Sequence, residues 1–298
     1  HSPNPEELAK VSNGLSMEKW YYLGAFALVP ICMLLVKIPA ITSWVLYPLG
    51  VISLIYLIYL SQQFDAEAKE KMWAAVILIT FSFFFWGFYE QAGGSLNLMA
   101  ERNVDFHVKN TNLSSAMMNN ATNPFYIIFL TPLLGMFWTY ADKNISWMSI
   151  PIKFGFSFIL VALGYFIFYQ GGALGLSNQS GLMPLMYFMM AYFFITLGEL
   201  FLSPIGLSMI TKLSPSNMFG FMMGIWFLAS ALGHKLAGLI GSFMAIPKTN
   251  ANGLPFTAME SLPIYMNGCK QIAIASLVIG IIILVSSRKI QSWMRGIK

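Results

Sequence analysis

The sequence predicts an all-α integral membrane protein with eight transmembrane helices, and three observations predict it. Hydrophobic residues make up 57% of the chain and charged residues only 10%, against about 25% charged in a soluble domain. The mean hydropathy is +0.66. Apolar runs recur that are long enough to cross a bilayer, which takes about 20 residues with a range of roughly 17–25. A soluble helical protein would carry charged outer faces on these segments, and they have none.

Taken in order, the predicted spans are Trp20–Val36, Trp44–Leu60, Met72–Tyr89, Pro124–Tyr140, Ile145–Tyr169, Leu182–Leu213, Phe219–Ile246 and Ile264–Val285. The first two each contain a proline, Pro30 and Pro48. Before them, His1–Ser16 is polar and lacks the apolar core of a signal peptide. Between the second and third spans, Ser61–Lys71 (SQQFDAEAKEK) reads as a charged linker. Asn103–Thr122, rich in Asn and Ser, is the longest polar loop, and Asn250–Leu262 is a second. The remaining connections are short, so neighbouring helices are expected to run antiparallel. Three regions result: a linker over 1–17, a helical hairpin over 18–62 and a six-helix bundle over 63–298.

Charge sets the orientation. With the amino terminus inside, the inner side carries Lys10, Lys19, Lys69, Lys71, Lys143, Lys153, Lys212, Arg288, Lys289, Arg295 and Lys298. The outer side carries Lys37, Arg102, Lys109, Lys248 and Lys270, and Lys235 falls within a span. The positive-inside rule therefore puts both termini in the cytoplasm. The net charge of +5 is a topology signal, with Arg288–Lys298 suited to anionic lipid, and it does not point to nucleic acid. Cys32 and Cys269 have no metal or disulfide-framework spacing, and His1, His107 and His234 are too scattered for a metal site. No cofactor is expected.

Polar residues inside the spans are the candidate site. Glu199, in FFITLGELFLSPIGLSMITK, lies near the middle of the run from Leu182 to Lys212. A charge at that depth costs roughly 2.5–3.5 kcal/mol on insertion scales and normally faces a cavity or a partner. Ser203 shares its helical face, and Pro204 frees a backbone carbonyl beside them. A structural pair with Lys235 or His234 of the next span is the plainer alternative. Glu90, in FWGFYEQAGGSLNLMAER, ends one apolar run, and Gly94 and Asn97 follow it at helical spacing as a cavity-lining face. A helix ending at Gly93–Gly94 would instead leave Glu90 at the headgroups. Trp226 and Ser230 repeat the i, i+4 spacing, with His234 a turn further. Gly220 and Gly224 form a GxxxG packing motif, and Asn123–Pro124 reads as a helix cap.

Four segments in order, EQAGGSLNLMAER, NPFYIIFLTPLLG, GELFLSPIGLSMITKLSP and GFMMGIWFLASALGHKLAG, closely resemble the carboxyl-terminal half of the proton-dependent oligopeptide transporter family. That family is a branch of the major facilitator superfamily. The resemblance covers roughly residues 70–286, and residues 20–60 are similar to the two helices that bacterial members insert between their halves. It implies a major-facilitator-type half bundle in a bacterial inner membrane, taking di- and tripeptides with protons by alternating access. It also implies a missing amino-terminal six-helix half, which carries the family's ExxERF motif and a binding lysine. Neither is in this chain, and Glu67–Lys71 (EAKEK) only superficially resembles the motif. By the same likeness, Glu199 meets the peptide's amino group, and Asn123, Ser203, Trp226 and Ser230 line the site. Glu90 takes part in proton coupling, and Glu101 closes an outer gate. Carboxylates in a low-dielectric cavity can exchange protons near neutral pH, as such coupling requires.

Other readings stay open. Nitrate, amino acids or drug-like molecules could replace peptides, and a sensor or scaffold of the same fold would not transport at all. An intramembrane enzyme would need a nucleophile–base pair or metal ligands, and Glu199 with one histidine supplies neither. The sequence therefore predicts no enzyme.

Overall fold

A computed structural model of the protein describes residues 8–108, 110–145, 147–250 and 252–297. The first seven residues of the expected linker, and Lys109 and Lys298 of the expected charge asymmetry, lie outside them. The structure is 81% helical. Its helices are α1 (Met17–Lys37), α2 (Pro39–Ser61), α3 (Ala66–Tyr89), α4 (Ser95–Asn103), α5 (Ser115–Asn144), α6 (Ile150–Ser177), α7 (Leu185–Leu213), α8 (Phe219–Phe243) and α9 (Ala258–Trp293). Among the described residues, seven stretches are long and apolar enough to cross a membrane: α2, α3 with α4, and each of α5 to α9. The helix α1 forms over the first predicted span but is not among those seven.

The chain divides into two compact units, His1–Ile52 and Ser53–Lys298. In the first, a two-residue hairpin pairs Val11–Ser12 with Leu15–Ser16 ahead of α1. Its turn places Asn13 and Gly14 at positive φ. Large apolar side chains stand outward here, Phe26 at 73% and Trp44 at 81% exposure. Such surface suits a lipid solvent and would be an aggregation hazard in water.

In the second unit, α6 packs along α7 and α9, while α3 pairs chiefly with α8. Close approach of α6 and α7 depends on Gly198, where a Cβ would stand 2.8 Å from the Ser157 carbonyl oxygen. Gly220 and Gly224 of the expected packing motif have open space around them. The motif spacing is present, but neither glycine is a point of close approach: a Cβ at either would meet nothing within 4 Å among the described residues.

Several boundaries differ from expectation. The polar loop is shorter than Asn103–Thr122, because α5 starts at Ser115, capped by the Ser114 hydroxyl accepting from the Met117 amide. Pro124 is therefore inside α5 and not at its start. The charged linker shrinks likewise, since the Asp65 carboxylate accepts from the Ala68 amide and starts α3 before Glu67–Lys71. Ile145 closes α5, and α6 starts five residues later with Pro151 in its first turn. At Ser114 and Asp65 a side-chain cap outweighs the polarity of the residues that follow, whereas at α6 the helix starts with Pro151 in its first turn and no side-chain cap bond.

The face expected from Glu90 through Asn97 is interrupted. The helix α3 ends at Tyr89, Glu90–Gly93 form a 3₁₀ turn, and Gly94 breaks the chain at φ −122° and ψ −104° before α4. Neighbours satisfy the freed backbone groups. The Tyr165 hydroxyl donates to the Phe88 carbonyl at 2.6 Å. The Gln91 amide donates to Gly87 and Ala237 at 3.2 and 2.9 Å. The Asn119 amide donates to Ala92 at 3.1 Å. Non-helical backbone at membrane depth is tolerated only when protein supplies such partners.

A second knot lies at the last residue of α4. Asn103, fully buried, donates to the carbonyls of Gly181 and Ala258 at 2.9 and 2.8 Å and accepts from the Ser261 hydroxyl at 3.1 Å. Next to it, Val104–Asp105 pairs in parallel with Met183–Pro184. Removing the Asn103 side chain takes the donor from the buried Gly181 carbonyl, at a cost of roughly 1–3 kcal/mol, while the Ala258 carbonyl keeps the Ser261 hydroxyl at 3.1 Å. Asn103→Ala is therefore expected to lower the thermal midpoint of the purified protein in detergent by several degrees. Asn112→Ala, on an exposed strand, should leave it within error.

Candidate functional site

The centre of the candidate site is a hydrogen-bond cluster formed by α3, α5 and α7. Glu199, half-buried on α7, accepts at Oε2 from the Tyr89 hydroxyl at 2.5 Å and from Asn123 Nδ2 at 3.0 Å. Asn123 Nδ2 is also 2.9 Å from the Tyr89 oxygen and 3.0 Å from Thr196 Oγ1. An amide nitrogen has two hydrogens for these three acceptors, so at most two of the bonds are fully formed at once. Each helix places its residue by simple periodicity. Tyr89 is the last residue of α3, Asn123 sits a residue before Pro124 within α5, and Thr196 precedes Glu199 by one turn of α7. Without water in the bilayer core, a carboxylate is held by protein donors of this kind.

A second pair sits beyond the end of α3. His234 Nδ1 is 2.8 Å from the Ser230 carbonyl oxygen. A carbonyl only accepts, so Nδ1 carries a hydrogen and Nε2 is left facing Glu90 Oε1 at 3.4 Å. Neutral His234 presents a lone pair to Glu90, and protonated His234 presents a charged N–H, so one proton makes the contact attractive. The Trp86 indole lies between the two groups, 5.5 Å from the Tyr89 ring and 6.5 Å from the imidazole.

The structure thus joins Glu199 to Asn123 and Glu90 to His234. Of the anticipated partners of Glu199, His234 faces Glu90 instead, and Tyr89 and Asn123 donate to Glu199. Ser203 is one turn further along α7 and half-buried. Trp226 is 3% exposed, with its ring seated over Gly206. A Cβ at Gly206 would come 2.0 Å from that ring, so the glycine is what lets the indole lie against α7. Ser230 is half-buried and Glu101 is exposed near the end of α4. Among the described residues, neither they nor Trp226 bond to Glu199. Tyr89 was absent from the sequence-based candidates because it counted as the last apolar residue of its run. The available signal was a phenol directly before an acid. Among the described residues, no three His, Cys, Asp or Glu side chains gather where a metal could bind.

The sequence matches the POT family over residues 34–256. It is similar to the dipeptide and tripeptide permease B of Photorhabdus asymbiotica, 30% identical over 275 residues, covering 92% of this chain and 54% of that protein. It is also similar to the dipeptide and tripeptide permease A of Proteus mirabilis, 31% identical over 263 residues, covering 85% of this chain and 52% of the relative. Among solved structures, a mutant of the peptide transporter POT in complex with alafosfalin superposes with a TM-score of 0.72 at 26% identity, covering 96% of this chain and 55% of that one. A structure concerned with substrate recognition in proton-dependent oligopeptide transporters gives 0.71 at 28% identity, covering 97% and 57%. The chain spans about half the length of the relatives it matches. These relatives are transporters and not enzymes, the chain is an integral membrane protein with seven stretches fit to cross a bilayer, and the match extends over well more than half of it: the chain belongs to the POT family.

Proposed function

We propose that this chain is the carboxyl-terminal half of a proton-coupled di- and tripeptide symporter that works by alternating access in a bacterial inner membrane, with both termini in the cytoplasm. In this reading eight helices cross the bilayer. Residues 18–62 form the inserted hairpin, 63–298 form a six-helix half bundle of the major facilitator type, and 1–17 link them to the preceding half. That preceding half, which the length of the relatives leaves room for, supplies the opposite wall of the site.

The observation that carries the reading is Glu199, an acid in the middle of an apolar helix whose bonded partners are the neutral hydroxyl and amide of Tyr89 and Asn123. Neutral donors orient a carboxylate without cancelling its charge, so a ligand that brings a cation gains from it. A peptide brings its terminal ammonium. Asn123, Ser203, Trp226 and Ser230 line the rest of the site. Glu90, with His234 beside it, takes part in proton coupling, and Glu101 serves the outer gate.

Two outcomes test this in the full-length protein. A charge-assisted pair in such a cavity contributes roughly 1.5–3 kcal/mol, or about ten- to a hundredfold in affinity. Glu199→Gln is expected to weaken dialanine binding by that factor and to affect amino-acetylated dialanine far less. Equal losses for both would make Glu199 a structural acid and open the site to solutes without an amine, such as nitrate. The proton role is tested by Glu90→Gln, expected to abolish gradient-driven uptake into proteoliposomes while counterflow exchange continues. Concentrative uptake at the wild-type rate and pH dependence would remove Glu90 from the coupling.

A further inference from the structure

The two donors to Glu199 converge on one of its oxygens. Tyr89 Oη and Asn123 Nδ2 both address Oε2, and no hydrogen bond among the described residues reaches Oε1. Glu199 itself is half-buried, and Oε1 is not among the buried polar atoms left unpaired among the described residues. The carboxylate is held asymmetrically, with one oxygen bonded by Tyr89 and Asn123 and the other by neither.

We propose that Tyr89 is a positioning residue for ligand recognition: by fixing Glu199 through Oε2 it directs Oε1, the oxygen that neither Tyr89 nor Asn123 bonds, at the ligand's ammonium group. The inference rests on Glu199 reading the amine, and it adds which atom does so and what aims it. Three features make Tyr89 the anchor. Its ring is fixed by a stacked contact with Phe85 at 5.9 Å and an edge contact with Trp86 at 5.5 Å, and Phe85 is itself fully buried. Its hydroxyl spends its one hydrogen on Glu199 while its lone pairs face Asn123, so the direction of the bond is set. It also ends α3, so the clamp ties this helix to α7 across the site. A carboxylate side chain otherwise has several torsions to order, and a ligand binding an unfixed acid would bear that loss itself.

Tyr89→Phe in the full-length transporter tests this, because it deletes the hydroxyl and keeps the ring contacts. One net hydrogen bond corresponds to about three- to tenfold in affinity. Tyr89→Phe is expected to weaken dialanine binding by that factor, to leave amino-acetylated dialanine unchanged, and to raise KM for uptake with little change in kcat. In a Glu199→Gln background, the same substitution should have no further effect on the preference for the free amine. An equal loss for both ligands, an additive loss in the double variant, or no loss would overturn the proposal. Tighter dialanine binding would overturn it too, by making the hydroxyl a competitor of the ligand. If Glu199→Gln keeps the amine preference, the underlying reading of Glu199 fails. If Glu199→Gln loses the preference and Tyr89→Phe keeps it, only the present inference fails. Should Tyr89→Phe not fold, Glu199→Asp decides, since it keeps the charge but draws it back from the phenol. A lost amine preference supports the clamp, and a wild-type preference refutes it.

Discussion

The absence of water from the hydrocarbon core governs this structure. Apolar side chains drive little association there, because lipid tails are as apolar as they are, whereas each unpaired polar group costs several kcal/mol. Polar atoms therefore gather where helices converge. The break after α3 is held by Tyr165, Gln91 and Asn119 from three directions, and the cluster at Glu199 lies beside it. Both sets of contacts use residues near the end of one helix, α3.

Site and scaffold are hard to separate for the same reason. Asn123 bonds Glu199, but it also joins α5 to α3 and α7. Trp226 sits on Gly206 as a packing residue, one helix away from the acid. A binding surface in a membrane bundle is made of the groups that hold its helices together, so recognition and helix arrangement respond to the same side chains.

Length and hydropathy made the helical class and most spans legible in the sequence, and a mid-span acid made Glu199 legible. Boundaries were less so. Ser114 starts α5 well inside a stretch that polarity marks as loop, because a cap depends on one side chain and not on the average of its neighbours. The Glu90–Gly94–Asn97 face failed for a related reason: periodicity cannot register a backbone that leaves the helix after Tyr89. The glycine motif at Gly220 and Gly224 shows that spacing alone does not say which face finds a partner. Tyr89 stayed hidden because hydropathy scores its ring, while its role comes from the hydroxyl and a residue more than a hundred positions away.

The break at Gly94 also has a mechanical side. It splits one 38-residue membrane stretch into a long rod and a short one, and the short rod ends at Asn103, which grips the loop before α7 and the start of α9. Two elements distant in sequence, the loop before α7 and the first turn of α9, thus share one amide at the tip of the short rod, so the angle set at Gly94 also fixes where those two elements can stand.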